Sequence, residues 1–308
     1  MDMGFFYGLF SSATFGLIPF FSIPLMRGGM SAECALFYRF LIASLTLGLI
    51  LRLRGERFRA PLPMLGGLCL SSLFYLLAAL LLFWSFRHMP SGMASTIQFL
   101  YPVQVMLIMV FFFHERFSWI TAASIALAVA GVYMLGGDST SGEVSLLGFV
   151  MALLSSLCNA LYIIGLHVTR KPGLSGLAVT FWVLAFGAAM SFISALLTDS
   201  FRLLVSWDEL LHVLGLAIIT ALLSNLTLVL AVERIGSTLA SVLGVMEPLT
   251  AVVVGIIVFH EPCTAAVFSG VGLICGSVLL VMLGPQLLAL ARRQGRTPGW
   301  TKGSGQQA

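Results

Sequence analysis

Apolar residues along this chain come in runs of about twenty, separated by short breaks of glycine, proline and charge. The runs fall at about 4–26, 31–51, 64–86, 92–113, 118–136, 145–168, 176–198, 209–232, 237–259 and 264–284. A helix needs about 20 apolar residues to cross a hydrocarbon core of about 30 Å, so the pattern predicts ten transmembrane helices. The breaks include Arg27-Gly28-Gly29, the basic stretch from Arg52 to Arg59, His88-Met89-Pro90, His114-Glu115-Arg116 and Gly136-Gly137-Asp138, and each carries an ionisable residue. The first run begins at Gly4 behind Asp2, with neither a basic leader nor a small-residue cleavage site, and is read as a permanent span. From Arg292 onward the chain turns rich in Gly, Arg and Gln and is read as a disordered tail.

Composition agrees with the pattern. Of 308 residues, 59% are hydrophobic and 9% charged, against about 25% charged in soluble domains. So few charges cannot cover a water-facing surface, and the expected partner is a lipid bilayer. The net charge of +4 sits in the breaks rather than on one face, which argues against nucleic acid. With the N-terminus placed in the cytoplasm, twelve Lys and Arg fall in inward segments and three (Arg27, Arg87, Arg202) in outward ones. By the positive-inside rule both termini are cytoplasmic, in an inner membrane. Five isolated cysteines form no CxxC or metal-ligand pattern, and no cofactor or metal is expected. Cys34 and Cys263 come near the outer surface in this topology; most of the five read as small hydrophobes.

The chain also repeats itself. Residues 94–115 read ASTIQFLYPVQVMLIMVFFFHE, and residues 240–261 read ASVLGVMEPLTAVVVGIIVFHE. The segments share Ala-Ser, a mid-run proline (Pro102, Pro248) and a terminal Phe-His-Glu. Ser11-Ser12 and Ser155-Ser156 match under a similar offset. Apolar matches between spans mean little, but a proline followed twice at the same distance by His-Glu means much. Five spans per half turn the second half over relative to the first, which is an inverted-topology repeat of the kind that builds solute carriers. The fold class is therefore an all-α membrane protein with ten transmembrane helices in two inverted five-helix repeats. The halves are 1–137 and 138–284, with a cytoplasmic tail at 285–308.

These elements resemble the EamA family of the drug/metabolite transporter superfamily. The resemblance rests on Tyr38-Arg39-Phe40 in the second helix, Pro102 with His114-Glu115-Arg116, and Glu247-Pro248 with His260-Glu261. It covers about 4–284 and implies ten helices in two EamA-like repeats. It also implies transport of amino acids or other small metabolites, often outward, through a cavity lined mainly by the first, third and fourth helices of each half. One departure stands out: Val183 occupies the place of Arg39 in the second half.

Glu247 sits near the middle of the ninth run, where an ionised group costs several kcal/mol and faces the bundle interior. It is expected to bind a substrate ammonium or to titrate in proton coupling, with a structural hydrogen-bonded carboxyl as the plainer reading. Arg39 enters the second run about 12 Å deep and Glu247 lies about 18 Å below the same surface. Arg39 either pairs with Glu247 or snorkels and bonds loop carbonyls. Pro102 and Pro248 remove a donor inside a span and kink their helices; the carbonyls of Gln98 and Gly244 are left for protein, water or ligand. Gln98, Tyr101 and Gln104 share a broad face beside Pro102, and Tyr101 aligns with Glu247. Ser155, Asn159 and Tyr162 share a face of the sixth helix, and the eighth offers Ser224, Asn225 and Thr227. Each is a cavity lining or helix–helix glue. Glu115 and Glu261, at helix ends, are expected to cap the following helices. Gly4-x-x-x-Gly8 and Gly272-x-x-x-Gly276 are close-packing motifs that leave monomer and homodimer both open.

The function expected is an alternating-access carrier for a small-molecule substrate, an amino acid or related compound, with a small cation or an amphipathic drug also suited to the cavity; the resemblance implies export, and proton coupling and facilitated exchange both stay open. A membrane-embedded enzyme fits poorly. Both His-Glu pairs lack the second His of HExxH, no Asp lies within a run, and all five histidines sit near run ends. A passive channel or scaffold is the nearer alternative, without a carbonyl filter or a ring of charge to support it.

Overall fold

The structure, a computed structural model, describes residues 3–56, 60–113, 119–137, 145–169, 174–262 and 264–294. Among these residues it is helical, with no strand, as expected where lipid offers backbone groups no partner outside their own helix. Glu115 and Cys263 lie outside the described residues.

The first run is a broken rod, α1 (Met3–Gly16) and α2 (Ile18–Arg27). It breaks at Leu17 because Pro19, in the first turn of α2, cannot donate to the preceding turn. Then come α3 (Ala32–Leu53) and α4 (Leu62–Ser85). The fourth run splits into α5 (Ser91–Gln98) and α6 (Tyr101–Phe112), followed by α7 (Trp119–Gly137). The second half holds α8 (Leu146–Thr169) and α9 (Gly176–Leu197), then α10 (Trp207–Leu214), a π-helical stretch (Gly215–Leu223) and α11 (Ser224–Leu243). It ends with α12 (Met246–Phe259) and α13 (Ala265–Gln294). Ser31 and Ser175, at matching places in the halves, start α3 and α9 in the same way, accepting the amides of Cys34 (3.1 Å) and Ala178 (3.2 Å).

Eight helical rods among the described residues are long and apolar enough to cross a membrane: Met3–Arg27, Ala32–Leu53, Met64–Ser85, Ser91–Phe112, Leu146–Thr169, Gly176–Leu197, Trp207–Gly236 and Ala265–Gly284. The fifth and ninth runs give shorter apolar helices, Ala122–Leu135 and Met246–Phe259. The ninth is short because its first third, 237–243, is cut off by a break at Gly244 and Val245, ahead of Pro248. Eighth and ninth runs meet without a loop at Gly236, whose φ of 80° and ψ of 161° no residue with a side chain adopts without strain. The tenth helix runs ten residues past its expected end at 284, to Gln294. Leu287-Leu288-Ala289-Leu290-Ala291-Arg292 are strong helix formers, so part of the expected tail is helix.

The principal helix contacts run between the halves. α1 packs along α11, α3 along α9, α4 along α8, α7 along α13, and α5 against α12. Exchanging the halves maps the first four of these pairs onto one another. Partners run antiparallel: a Cβ on Gly4 would meet Ile235, and one on Gly215, at the other end of that pair, would meet Phe21. Small residues permit the approach. Gly4 and Gly8 pack on Ile235 and Leu243 within the chain, whereas Gly272 and Gly276 face nothing within 4 Å. The tight α7–α13 crossing uses Gly131 and Gly270 instead; a Cβ on Gly131 would lie 2.7 Å from Ile274 and 3.0 Å from the Gly270 carbonyl.

Candidate functional site: a central cavity at the helix breaks

The breaks converge on one place. A cavity of about 240 Å³ at the centre of the bundle is lined by Phe15 and Ile18 around the α1–α2 break and by Gln98 and Tyr101 around the α5–α6 break. Asn225, just past the π-helical stretch, and Glu247, just past the α11–α12 break, complete the set. Interrupted helices are tolerated at membrane depth where they line a cavity. The lining helices are the first, third and fourth of each half, joined by Arg39 from α3.

Of the residues singled out from sequence, Glu247, Arg39, Tyr101, Gln98, Asn159, Tyr162 and Asn225 all line this cavity. Ser155 does not. Its buried hydroxyl donates to the Ala78 carbonyl (2.6 Å) and lies 3.3 Å from Gln98 Nε2, so it orients a lining residue from behind. Its repeat equivalent, Ser11, donates to the Ser224 carbonyl at 2.8 Å. Ala78 and Ser224 are themselves 146 residues apart, the spacing of the repeat. Ser224 also shares a hydroxyl contact with Thr14 (2.7 Å) and donates to Ile219 O (2.9 Å), which makes it part of the α1–α11 seam. Thr227 bonds its own helix at Leu223 O (2.7 Å). Gln104 is away from the cavity, with a buried Oε1 that has no partner.

Pro102 and Pro248 are buried, one and two residues past the start of the helix that follows each break. They interrupt the rods outright rather than bending them. The Gly244 carbonyl, expected to need an outside partner, takes the amide of Glu247 at 3.0 Å. That bond holds Glu247 in the first turn of α12, where the helix dipole favours a carboxylate.

Arg39 is 3% exposed, its guanidinium carbon is 5.9 Å from the Phe40 ring centroid, and its Nε has no hydrogen-bond partner. Among the described residues the ion pairs are Arg202–Glu209 (2.6 Å) and His212–Asp208 (3.5 Å). Arg39 and Glu247 thus share one cavity as opposite charges without an ion pair of 4.0 Å or less. Such depth is also inconsistent with an arginine snorkelling to headgroups.

Sequence reasoning passed over Tyr75, Phe15 and Phe83. Tyr75 stacks between Phe40 (5.5 Å) and Tyr162 (4.9 Å) and lines the cavity. A tyrosine in the middle of the third helix was the available signal. Phe15 and Phe83 carried none, because an aromatic in an apolar run looks like any lipid-facing residue.

A second group of residues lies where α2, α4 and α12 end and α5 and α8 begin. Glu261 does not cap the following helix, as expected, but reaches into the other half. Its carboxylate accepts Ser91 N (2.6 Å), Ser91 Oγ (2.5 Å) and Gly92 N (3.0 Å) at the start of α5. His260, in the left-handed region with φ 54°, turns the chain back for this. Chain neighbours misled here: the nearest bare amides in space belong to a helix 170 residues away. Arg27, which stacks over Phe259 at 5.3 Å, and Arg87 and His88 line the same recess. Cys34 is a buried free thiol donating to Arg202 O at 3.4 Å.

The sequence matches the EamA-like transporter family twice, over residues 2–137 and 146–283. It is similar to a curated relative from Bacillus subtilis (strain 168) described as "Uncharacterized transporter YvbV", 26% identical over 272 residues, covering 84% of this chain and 86% of that one. A solved crystal structure has the same fold, with a TM-score of 0.60 at 19% identity, covering 95% of this chain and 97% of that one. With the family matched in both halves and apolar helices throughout, the chain is a multi-pass membrane transporter rather than an enzyme, and it belongs to the EamA-like transporter family.

Proposed function

We propose that this protein exports small metabolites, amino acids or related compounds, across the inner membrane by alternating access. In this reading ten spans form two inverted five-helix repeats with both termini in the cytoplasm. The self-mapping helix pairs, the equivalent bonds of Ser11 and Ser155, and the Glu261 contact between the end of α12 and the start of α5 all support inversion.

One observation carries the carrier reading. Tyr101 and Glu247, at equivalent positions just after the breaks of the fourth and ninth runs, line the same central cavity. Its 240 Å³ falls below the roughly 300–1,000 Å³ of drug-sized pockets, which favours a small solute. Alternating access is supported by an imbalance. α5 packs against α12, but among the described residues α6 makes no comparable packing with 237–243, the equivalent pair at the other end.

Glu247 takes the substrate ammonium or a proton, and facilitated exchange without a proton is the second reading. Counterflow of radiolabelled amino acids into liposomes, compared for wild type and Glu247→Gln at two pH values, separates them. Proton coupling expects the mutation to abolish the effect of pH on transport. A mutant that matches wild type at both pH values makes Glu247 structural. A wild type without counterflow for any solute returns the channel or scaffold reading to the front.

A further inference from the structure

The scaffold of the cavity is symmetric, but its chemistry is not. Five pairs of repeat-equivalent residues line it with both members: Phe15 with Asn159, Ile18 with Tyr162, Ala79 with Asn225, Leu82 with Leu228, and Tyr101 with Glu247. In three of the five the first half supplies an apolar side chain and the second half a hydrogen-bonding one; in none is the order reversed. Where the halves differ at matched positions of one site, the difference serves the ligand, because scaffold demands at the two positions are alike.

Among the unmatched lining residues the first half also supplies Arg39, Tyr75 and Gln98 and the second half Ile163, so the division is drawn by the matched pairs. Phe83, on α4 one residue beyond Leu82, extends the apolar set of Phe15, Ile18 and Leu82. Asn225 spends one donor on Ala221 O (2.6 Å), which fixes the carboxamide while leaving its oxygen for the cavity. Arg39 adds a buried cation whose Nε is unpartnered, opposite in sign to Glu247 and not joined to it. A buried Arg39 and a half-buried Glu247, separately held at one cavity, are balanced by a solute that carries both charges.

We propose, resting on the carrier reading, that the substrate is a zwitterion with an apolar side chain, bound in one orientation. Its carboxylate lies on Arg39 and its ammonium on Glu247, with Asn159 and Asn225 hydrogen-bonding the head. The side chain lies against Phe15, Ile18, Leu82 and Phe83. The pairs Phe15/Asn159 and Ala79/Asn225 set selectivity, and the repeat itself names the substitutions that erase it.

Phe15→Asn and Ala79→Asn copy the second half's residue into the first. The test pairs amino acids of similar size, leucine against asparagine and phenylalanine against glutamine, and adds the monocharged isoamylamine and isocaproate. Two readouts are taken on the reconstituted or detergent-solubilised full chain: counterflow, and the ligand-induced shift in thermal unfolding, which does not require transport. Wild type is expected to favour the apolar member of each pair by about tenfold, the scale set by one or two methylenes in an apolar pocket. The monocharged analogues should give no shift at matched concentration. Phe15→Asn should bring the ratio close to one while leaving unliganded unfolding within a few degrees of wild type. Should Phe15→Asn not fold, Ala79→Asn carries the same expectation. Equal affinity for both members in wild type, a ratio unmoved by both variants, or stabilisation by a monocharged analogue overturns the proposal. Thermal shifts in the expected order without counterflow would leave this binding orientation standing and remove the carrier reading. Absence of any shift with any amino acid removes the orientation, whatever the transport result.

Discussion

At the residue scale, buried Arg39 and half-buried Glu247 share the central cavity against the usual rule that a charge at membrane depth is paired. Because each keeps its own place, removing one does not simply orphan the other. Replacing Arg39 by Gln is expected to lower the apparent affinity for zwitterionic solute by tenfold or more. The Arg39→Glu, Glu247→Arg double variant should not restore it, because the two side chains do not meet in an ion pair; restored counterflow in the double variant would show that they do. Ser155 makes a subtler case. Ser155→Ala frees the Ala78 carbonyl and the Gln98 amide at once, and it should raise KM for counterflow while leaving kcat little changed. An equal fall in both would mean that the fold, not the position of Gln98, was damaged. Glu247, Tyr101 and Asn159 were legible in the sequence because polarity inside an apolar run is a signal. Phe15 and Phe83 were not, since hydrophobicity has the same appearance towards lipid and towards a cavity.

Among elements, the breaks decide what the helices can do. Pro102 and Pro248 announced two of them, and Pro19 announced a third that was passed over because it lies so near the chain's start. The π-helical stretch before Asn225 had no sequence sign, being a matter of how Phe21 seats on Gly215 and which carbonyl Ser224 finds. The contact of α5 with α12 is secured by the three bonds of Glu261 and by Gly92, where a Cβ would meet Val252 Cα at 2.8 Å. Both devices act at the end where α12 meets α5. Glu261→Gln keeps the shape but weakens the charge-assisted bonds to two amides and a hydroxyl. In hydrogen exchange, amides near Ser91 should then lose protection while α6 gains it. Loss of protection at α5 alone, with α6 unchanged, would make Glu261 an ordinary cap.

For the molecule as a whole, stability is spread over contacts between halves, so neither half has a core of its own. The tight α7–α13 crossing illustrates this. Gly131→Leu forces side-chain atoms against the Gly270 backbone, which has nowhere to retreat, and should cost about 1–3 kcal/mol by overpacking. That loss is read as an earlier thermal midpoint in detergent, and an unchanged midpoint would mean that the two helices separate freely. The apolar runs foretold the helices well, and the charge asymmetry set an orientation testable by impermeant labelling of single cysteines at Arg54 and Arg202. Which helices touch was less legible: pairs such as α4 with α8 follow from the relation of the halves in space, and no local pattern of residues encodes it.

The single-residue joint at Gly236 has a mechanical meaning. Most antiparallel helices are linked by a loop that absorbs motion, but here one glycine carries the whole reversal. The eighth rod and the stretch 237–243 therefore meet as the two arms of a crank, with a second break at Gly244 and Val245 between that joint and Glu247, so a shift of Glu247 is expected to reach the arm bearing Asn225 through both. Adding slack at that joint would leave both side chains in the cavity yet let them move out of step, giving a protein that grips its solute without handing it across.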